Sequence, residues 1–266
     1  MTEDIVVRFV TNTEICKVPS QMKKAFEVAK YQFNSDCDWI NTENAFKIAK
    51  RLTTKSIIFI ANPTEIDDFS MLIQKRKKLY GPLVILYCNK NNMVMPRIKS
   101  KPIFSLTLNG LIICCSTMDE ERRNNIYNKV EMMGGLFSQA LTENVTHLVS
   151  AISGSKKYYV AINYNKKIMS PTWVEKLWES VCDYRDPKYN EFPFSEMKCP
   201  IFSGCIMSVS GFVSIDKIKL KELIETNGGE YSAKMKKNFC THLIVLEAKG
   251  LLIFNLYIFG VNFFVP

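Results

Sequence analysis

The sequence predicts an α/β protein made of repeated small parallel sheets flanked by helices, and three observations carry that expectation. Leu111 to Leu148 and Cys205 to Leu243 are copies of each other: each reads as a short apolar strand ending in Ser, a helix-period run, Gly-Gly, and then Thr-His-Leu. Ser116 stands eighteen residues before Gly134, Ser210 stands eighteen before Gly228, and both histidines of the chain, His147 and His242, fall inside the Thr-His-Leu. The strand-forming run Leu111 to Cys115 is continuously apolar, as a strand buried on both faces requires. A self-similarity of this length is one domain type used more than once.

Taken in order, Ile5 to Val10 and Ser56 to Ile60 read as buried strands, Pro19 to Phe33 and Glu65 to Lys78 as amphipathic helices, and Leu83 to Tyr87 as a further strand. This first segment has neither Gly-Gly nor Thr-His-Leu. In the first clear copy the strand Leu111 to Cys115 is followed by a helix over Asp119 to Met133, with Ile126, Val130 and Met133 at helical spacing, stopped by Gly134-Gly135. Leu136 to Ser138 and Thr146 to Val149 supply two strands, and Ser155 can cap a helix from Lys156 through Tyr164. Ile168 to Ser170 is a fourth strand, and Pro171 opens a last helix carrying Trp173 and Trp178 as core residues.

The 266 residues allow two or three domains, and 47% hydrophobic with 23% charged residues is a globular balance. Nine cysteines without a C-x-x-C pair or metal-ligand spacing argue for thiols in a reducing compartment, and against a disulfide framework or zinc site. Glu3 and Asp4 with no apolar run argue against a secretory signal at the N-terminus, so Asn144-Val145-Thr146 is expected to be a chance sequon rather than a glycan acceptor. A net charge of +9 points to acidic partners, but the lysines lie in short scattered clusters, Lys75 to Lys78, Lys156-Lys157 and Lys234 to Lys237, without the interleaved aromatics that stack single-stranded bases. His147 and His242 have no metal-ligand partners at matching offsets and no G-x-S-x-G elbow accompanies them, so they read as structural rather than catalytic.

Gly-Gly followed by Thr-His-Leu-Val, then Gly-Ser-Lys-Lys-Tyr and Pro-Thr-Trp-Val-Glu-Lys-Leu-Trp, resembles the BRCT domain, a phosphopeptide-binding module of DNA-damage proteins. The resemblance extends through Tyr80 to Cys88, Val94 to Arg97 and Lys198 to Phe202, and covers essentially residues 1–250 as the N-terminal triple-BRCT block of checkpoint scaffolds of the topoisomerase II-binding class. It implies a degenerate, structural BRCT domain over 1–98, a complete phosphopeptide-binding domain over 103–182, a truncated third over 198–250, and a non-family apolar tail over 251–266. Each domain is expected to be a parallel sheet of about four strands flanked by helices, the last one incomplete.

A phosphoryl group carries about −1.5 to −2 charge and is held by hydroxyl and backbone N–H donors at a strand-to-helix turn, with cations from neighbouring helices. Ser116 and the N–H of Thr117 lie at such a turn, Arg123 on the helix after it and Lys157 in the first turn of the next. By the resemblance these carry the family's phosphate-binding hydroxyl, arginine and lysine. The plainer reading makes Ser116 a helix cap and the two cations solvated charges. Arg122 and Lys156 are read as surface neighbours. Ser210, Gly211 and Lys217 reproduce the hydroxyl, N–H and first cation in the second copy, an incomplete second site with Lys where Arg would give a bidentate fork. The position expected for its second cation is Leu252.

The tail from Leu251 to Pro266 has no charge, and as a truncated product it leaves one face of the last sheet uncovered unless it folds over it. At about 16 residues, interrupted by Asn255, Gly260 and Asn262, it is short for a membrane span of about 20. The resemblance implies a nuclear, non-enzymatic scaffold without cofactor, metal, membrane or small-molecule substrate. Its partners are phosphorylated tails of the checkpoint clamp and replication-initiation factors, with DNA-end or single-strand binding as the alternative. A fragment limited to this block is expected to bind such partners without recruiting a kinase.

Overall fold

The structure, a computed structural model, describes residues 5–33, 36–50, 56–75, 77–98, 101–246 and 262–264. Three four-stranded sheets follow one another along the chain. The first is built from β1 (Ile5–Val10), β2 (Cys37–Ile40), β3 (Ser56–Ile60) and β4 (Lys78–Tyr80), in the order β2-β1-β3-β4 with every pairing parallel. The second uses β5 (Ile112–Ser116), β6 (Leu136–Ser138), β7 (His147–Ser150) and β8 (Lys167–Met169), in the order β6-β5-β7-β8. The third uses β9 (Ile206–Ser210), β10 (Glu230–Ser232), β11 (His242–Val245) and β12 (Asn262–Phe264), in the order β10-β9-β11-β12. One topology is therefore used three times, including in the segment that lacks both sequence signatures.

Compact packing groups residues 1–113, 120–146 and 172–196 into one unit, and 114–119, 147–171 and 197–266 into another. In the first unit the first sheet is buried on both sides, and the alternation of its side chains shows it. Val7 and Phe9 pack with Ile58, Ile60, Met22, Ala25 and Ala29 of one cluster. Val10 and Phe59 pack with Ala45, Ala49, Phe69 and Leu72 of the other. Successive strand residues point to opposite faces, so an apolar run with no polar alternation needs cover on both. That cover comes from α1 (Ser20–Phe33), α2 (Thr42–Lys50), α3 (Ser70–Gln74) and α4 (Pro82–Lys90).

Two expectations for this segment are corrected. Leu83 to Tyr87 is not a strand but the body of α4, which starts with Pro82 at its first position and buries Leu83, Val84, Ile85 and Cys88. A helix apolar around most of its circumference has no 3.6-residue signature, and Pro82 is the residue that betrays it. Glu65 to Lys78 is not one helix: a 3₁₀ segment over Pro63–Phe69 leads into the short α3, and Lys78 already begins β4. The strand Cys37–Ile40, which has only four residues, carries no pattern long enough to read.

The two copies owe their shared words to shared contacts. After α5 (Glu120–Met132) and α8 (Ser214–Thr226), Gly134 and Gly228 adopt φ +80° and +82°, the left-handed conformation that closes a helix. The second glycine of each pair lies where a Cβ would strike the helix it follows, 2.9 Å from Val130 Cγ1 at Gly135 and 2.8 Å from Ile224 Cγ2 at Gly229. Thr146 both accepts from Ile112 N–H (3.1 Å) and donates to Ile112 O (3.0 Å) through its hydroxyl, and Thr241 does the same with Ile206 at 2.8 and 3.1 Å. The Thr is thus the side chain that pins the third strand of each sheet to the start of the first. His147 beside it is buried, and burial pushes its imidazole down to about pH 4, so the ring is neutral near pH 7. Burial lowers His242 as well.

The helices of the second sheet, α5, α6 (Lys156–Asn163) and α7 (Pro171–Cys182), lie within one or two residues of their expected bounds. Trp173 is fully buried, donating its indole N–H to Tyr189 O (3.3 Å), and Trp178 meets Phe104 edge-on at 6.0 Å. The third sheet is more complete than the sequence implies. Asn262–Phe264 of the apolar tail forms β12, pairing in parallel with β11 in the register His242↔Asn262. The fourth strand is therefore supplied by the tail, while Leu252 and the rest of 247–261 lie outside the described residues.

Candidate functional site

β5 ends at Ser116, and the chain turns sharply at Thr117, whose φ of +53° is costly for a β-branched residue. Hydrogen bonds hold it there. Thr117 Oγ1 lies 3.1 Å from Ser150 Oγ at the end of β7 and accepts from Ile152 N–H at 3.3 Å, while Ser150 Oγ donates to Ile152 O at 2.7 Å. In the other copy the same place is held by Gly211, at φ +84°, where no strain arises.

Opposite this turn, Ser155 caps α6, its hydroxyl accepting from Tyr158 N–H at 3.1 Å. The same hydroxyl lies 3.0 Å from Ser116 Oγ. Two residues on, Lys157 reaches back to donate its ammonium to Cys115 O at 3.1 Å, with Cys114 Sγ at 3.4 Å. The end of β5 and the first turn of α6 therefore present two hydroxyls, a left-handed turn and a cation side by side. An ammonium next to hydroxyl and backbone donors at a helix N-terminus is the donor set an oxyanion takes.

Of the four residues expected at this site, Ser116, Thr117 and Lys157 come together. Arg123 is an exposed residue of the first turn of α5. Its neighbour Arg122 is engaged by Glu175 of α7 at 3.3 Å. Ser155 was legible in the sequence only as a helix cap. Its proximity to Ser116, 39 residues away, comes from the sheet order, which local spacing does not encode.

In the third sheet Ser210 and Lys217 are both half-buried, at the end of β9 and in the first turn of α8. Among the described residues no cluster of three or more His, Cys, Asp or Glu could hold a metal, and no helix is long and apolar enough to cross a membrane.

Residues 104–178 match the BRCA1 C Terminus (BRCT) domain family, and residues 205–251 match the twin BRCT domain family. The chain is similar to protein ECT2 of Homo sapiens, 29% identical over 200 residues covering 71% of this chain and 21% of ECT2. It is 31% identical to ECT2 of Mus musculus over 196 residues, with the same coverage. The S-M checkpoint control protein rad4 of Schizosaccharomyces pombe is 25% identical over 148 residues, covering 55% of this chain and 22% of rad4. The chain thus spans about a fifth of the length of the curated relatives it matches. Among solved structures, Rad4 BRCT1,2 in complex with a Crb2 phosphopeptide superposes with a TM-score of 0.54 at 23% identity, over 60% of this chain and 88% of that one. The same domains in complex with an Mdb1 phosphopeptide give 0.55 at 23% identity, over 60% and 87%. At that identity the likeness is one of fold.

Proposed function

We propose that this chain, which carries tandem BRCT domains, is a non-enzymatic phosphoprotein-binding scaffold of the nuclear DNA-damage and replication checkpoint. The domain over 103–182 reads a phosphoserine or phosphothreonine, with the domain over 1–98 in a structural role and a truncated domain over 198–250. The observation that carries the reading is the convergence of Ser116, Thr117, Ser155 and Lys157, with Lys157 Nζ 3.1 Å from Cys115 O and the two serine hydroxyls 3.0 Å apart. The Rad4 domains of like fold bind phosphopeptides, which supports the same ligand class here. By the family resemblance Arg123 of α5 is the candidate second cation, and Ser210, Gly211 and Lys217 form a weaker site whose lysine lacks the guanidinium fork. The partners are phosphorylated tails of the checkpoint clamp and of replication-initiation factors.

The test compares a fluorescent phosphothreonine peptide from a checkpoint-clamp tail, its unphosphorylated twin and a single-stranded oligonucleotide, each at two salt concentrations. Binding of the phosphopeptide alone, with a shallow salt dependence, is expected. Binding that ignores the phosphate, tracks the oligonucleotide and falls steeply with salt would assign the basic surface to nucleic acid instead.

A further inference from the structure

The turn that holds Thr117 is itself held from outside its own domain. Ile152 N–H donates to Thr117 Oγ1, and Ile152 belongs to the loop 151–153 that follows β7. That loop is fastened to the stretch just before β9. Ser153 N–H donates to Ser203 O at 2.9 Å, Ser153 Oγ donates to the same carbonyl at 3.0 Å, and Ser203 Oγ donates to Ala151 O at 2.9 Å. Gly204 closes the contact: at φ +79°, a Cβ on it would stand 2.5 Å from Ile152 Cγ2 and 2.7 Å from Ile152 Cβ. No side chain fits between residue 204 and Ile152.

The stretch is anchored on its other sides as well. Ser170 N–H donates to Met197 O and Cys199 N–H to Ile168 O, both at the edge strand β8. Phe202 N–H donates to Asn227 O, and Cys205 O accepts from Glu230 N–H at the start of β10, which joins the stretch to the Gly-Gly turn and sheet of the third domain. All of these residues, with Ser116, Thr117 and Lys157, belong to one compact unit.

From this chain of bonds we infer that Ser203-Gly204 is a positioning element for the phosphate cradle of the preceding domain. By fixing loop 151–153 it presents Ile152 N–H to Thr117 Oγ1, and this bond helps keep Thr117 in its left-handed conformation at the end of β5. The third domain thereby sets the affinity of the second for a phosphorylated side chain, a role distinct from any ligand of its own. The inference rests on the phosphate reading given above.

Affinity for the phosphothreonine peptide and amide hydrogen exchange at Ile152 are measured in the full chain and in three variants. Gly204→Ala, which must displace Ile152, is expected to weaken binding about tenfold and to speed exchange at Ile152. Ser203→Ala, the milder change, removes one hydroxyl bond and is expected to weaken binding about threefold. Ile224→Val, a methyl deletion in the core of the third domain, lowers that domain's stability without touching loop 151–153 and is expected to leave both readings as in the native chain. Native-like affinity in Gly204→Ala, or an equal loss in Ile224→Val, overturns the inference while the phosphate reading stands. A native chain indifferent to the phosphate overturns both.

Discussion

Lys157→Glu is expected to remove phosphate-dependent binding, lowering affinity for a phosphothreonine peptide on the order of a hundredfold while leaving the fold intact. A charge-assisted hydrogen bond contributes about 1.5–3 kcal/mol, about tenfold or more in affinity, and reversing the charge adds repulsion against a dianion. The ammonium lies 3.1 Å from the carbonyl of Cys115, one residue before Ser116, so its place at the strand end is fixed by the protein rather than by ligand. Lys157→Met keeps the aliphatic stem and removes the charge, and its loss should be about tenfold. Lys156→Glu, one position earlier and exposed, serves as the control for general charge and should change affinity no more than about twofold. Fluorescence anisotropy with thermal melts of each variant checks these values.

Gly81→Ala is expected to cost about 2–4 kcal/mol in the unit that contains the first sheet. Gly81 precedes α4 and donates its N–H to Ile103 O at 2.8 Å, next to a parallel bridge between Tyr80 and Ile103. A Cβ there would meet Phe104 O at 2.5 Å and Phe104 Cα at 2.7 Å, both backbone atoms that cannot rotate away. Overpacking of this kind costs about 1–3 kcal/mol and the displaced hydrogen bond about 1 more. Gly110→Ala is the comparison, because nothing lies within 4 Å of its Cβ and only its φ of +81° resists substitution. In urea denaturation followed by tryptophan fluorescence the Gly81 variant should unfold well before the Gly110 variant. Equal midpoints would mean that the junction at Phe104 yields without cost.

The repeat was legible because its words encode contacts at fixed places. Thr146 and Thr241 pin strand to strand, Gly134 and Gly228 need a positive φ, and Ser155 caps a helix, so each residue type is required by geometry one or two neighbours away. The first domain reaches the same strand order without them, through side chains that are merely apolar, such as Phe9, Phe59 and Phe69. Many residues satisfy that demand, so the pattern leaves no distinct trace. The same degeneracy hid α4, where a helix apolar on most sides resembles a buried strand. At the candidate site, Ser116 and Lys157 could be picked out by family resemblance. The proximity of Ser155 to Ser116, and the support of Thr117 by Ile152, depend on loops joined across the sheet and have no local signature.

The most direct test of the phosphate cradle is a titration of the isotope-labelled chain with the phosphothreonine peptide and with its unphosphorylated twin, followed by amide resonances. The cradle predicts that the phosphopeptide alone produces the largest shifts at Ser116, Thr117 and Ser155 to Lys157. Shifts produced equally by both peptides, or centred on the exposed lysines at 234, 236 and 237, would contradict it.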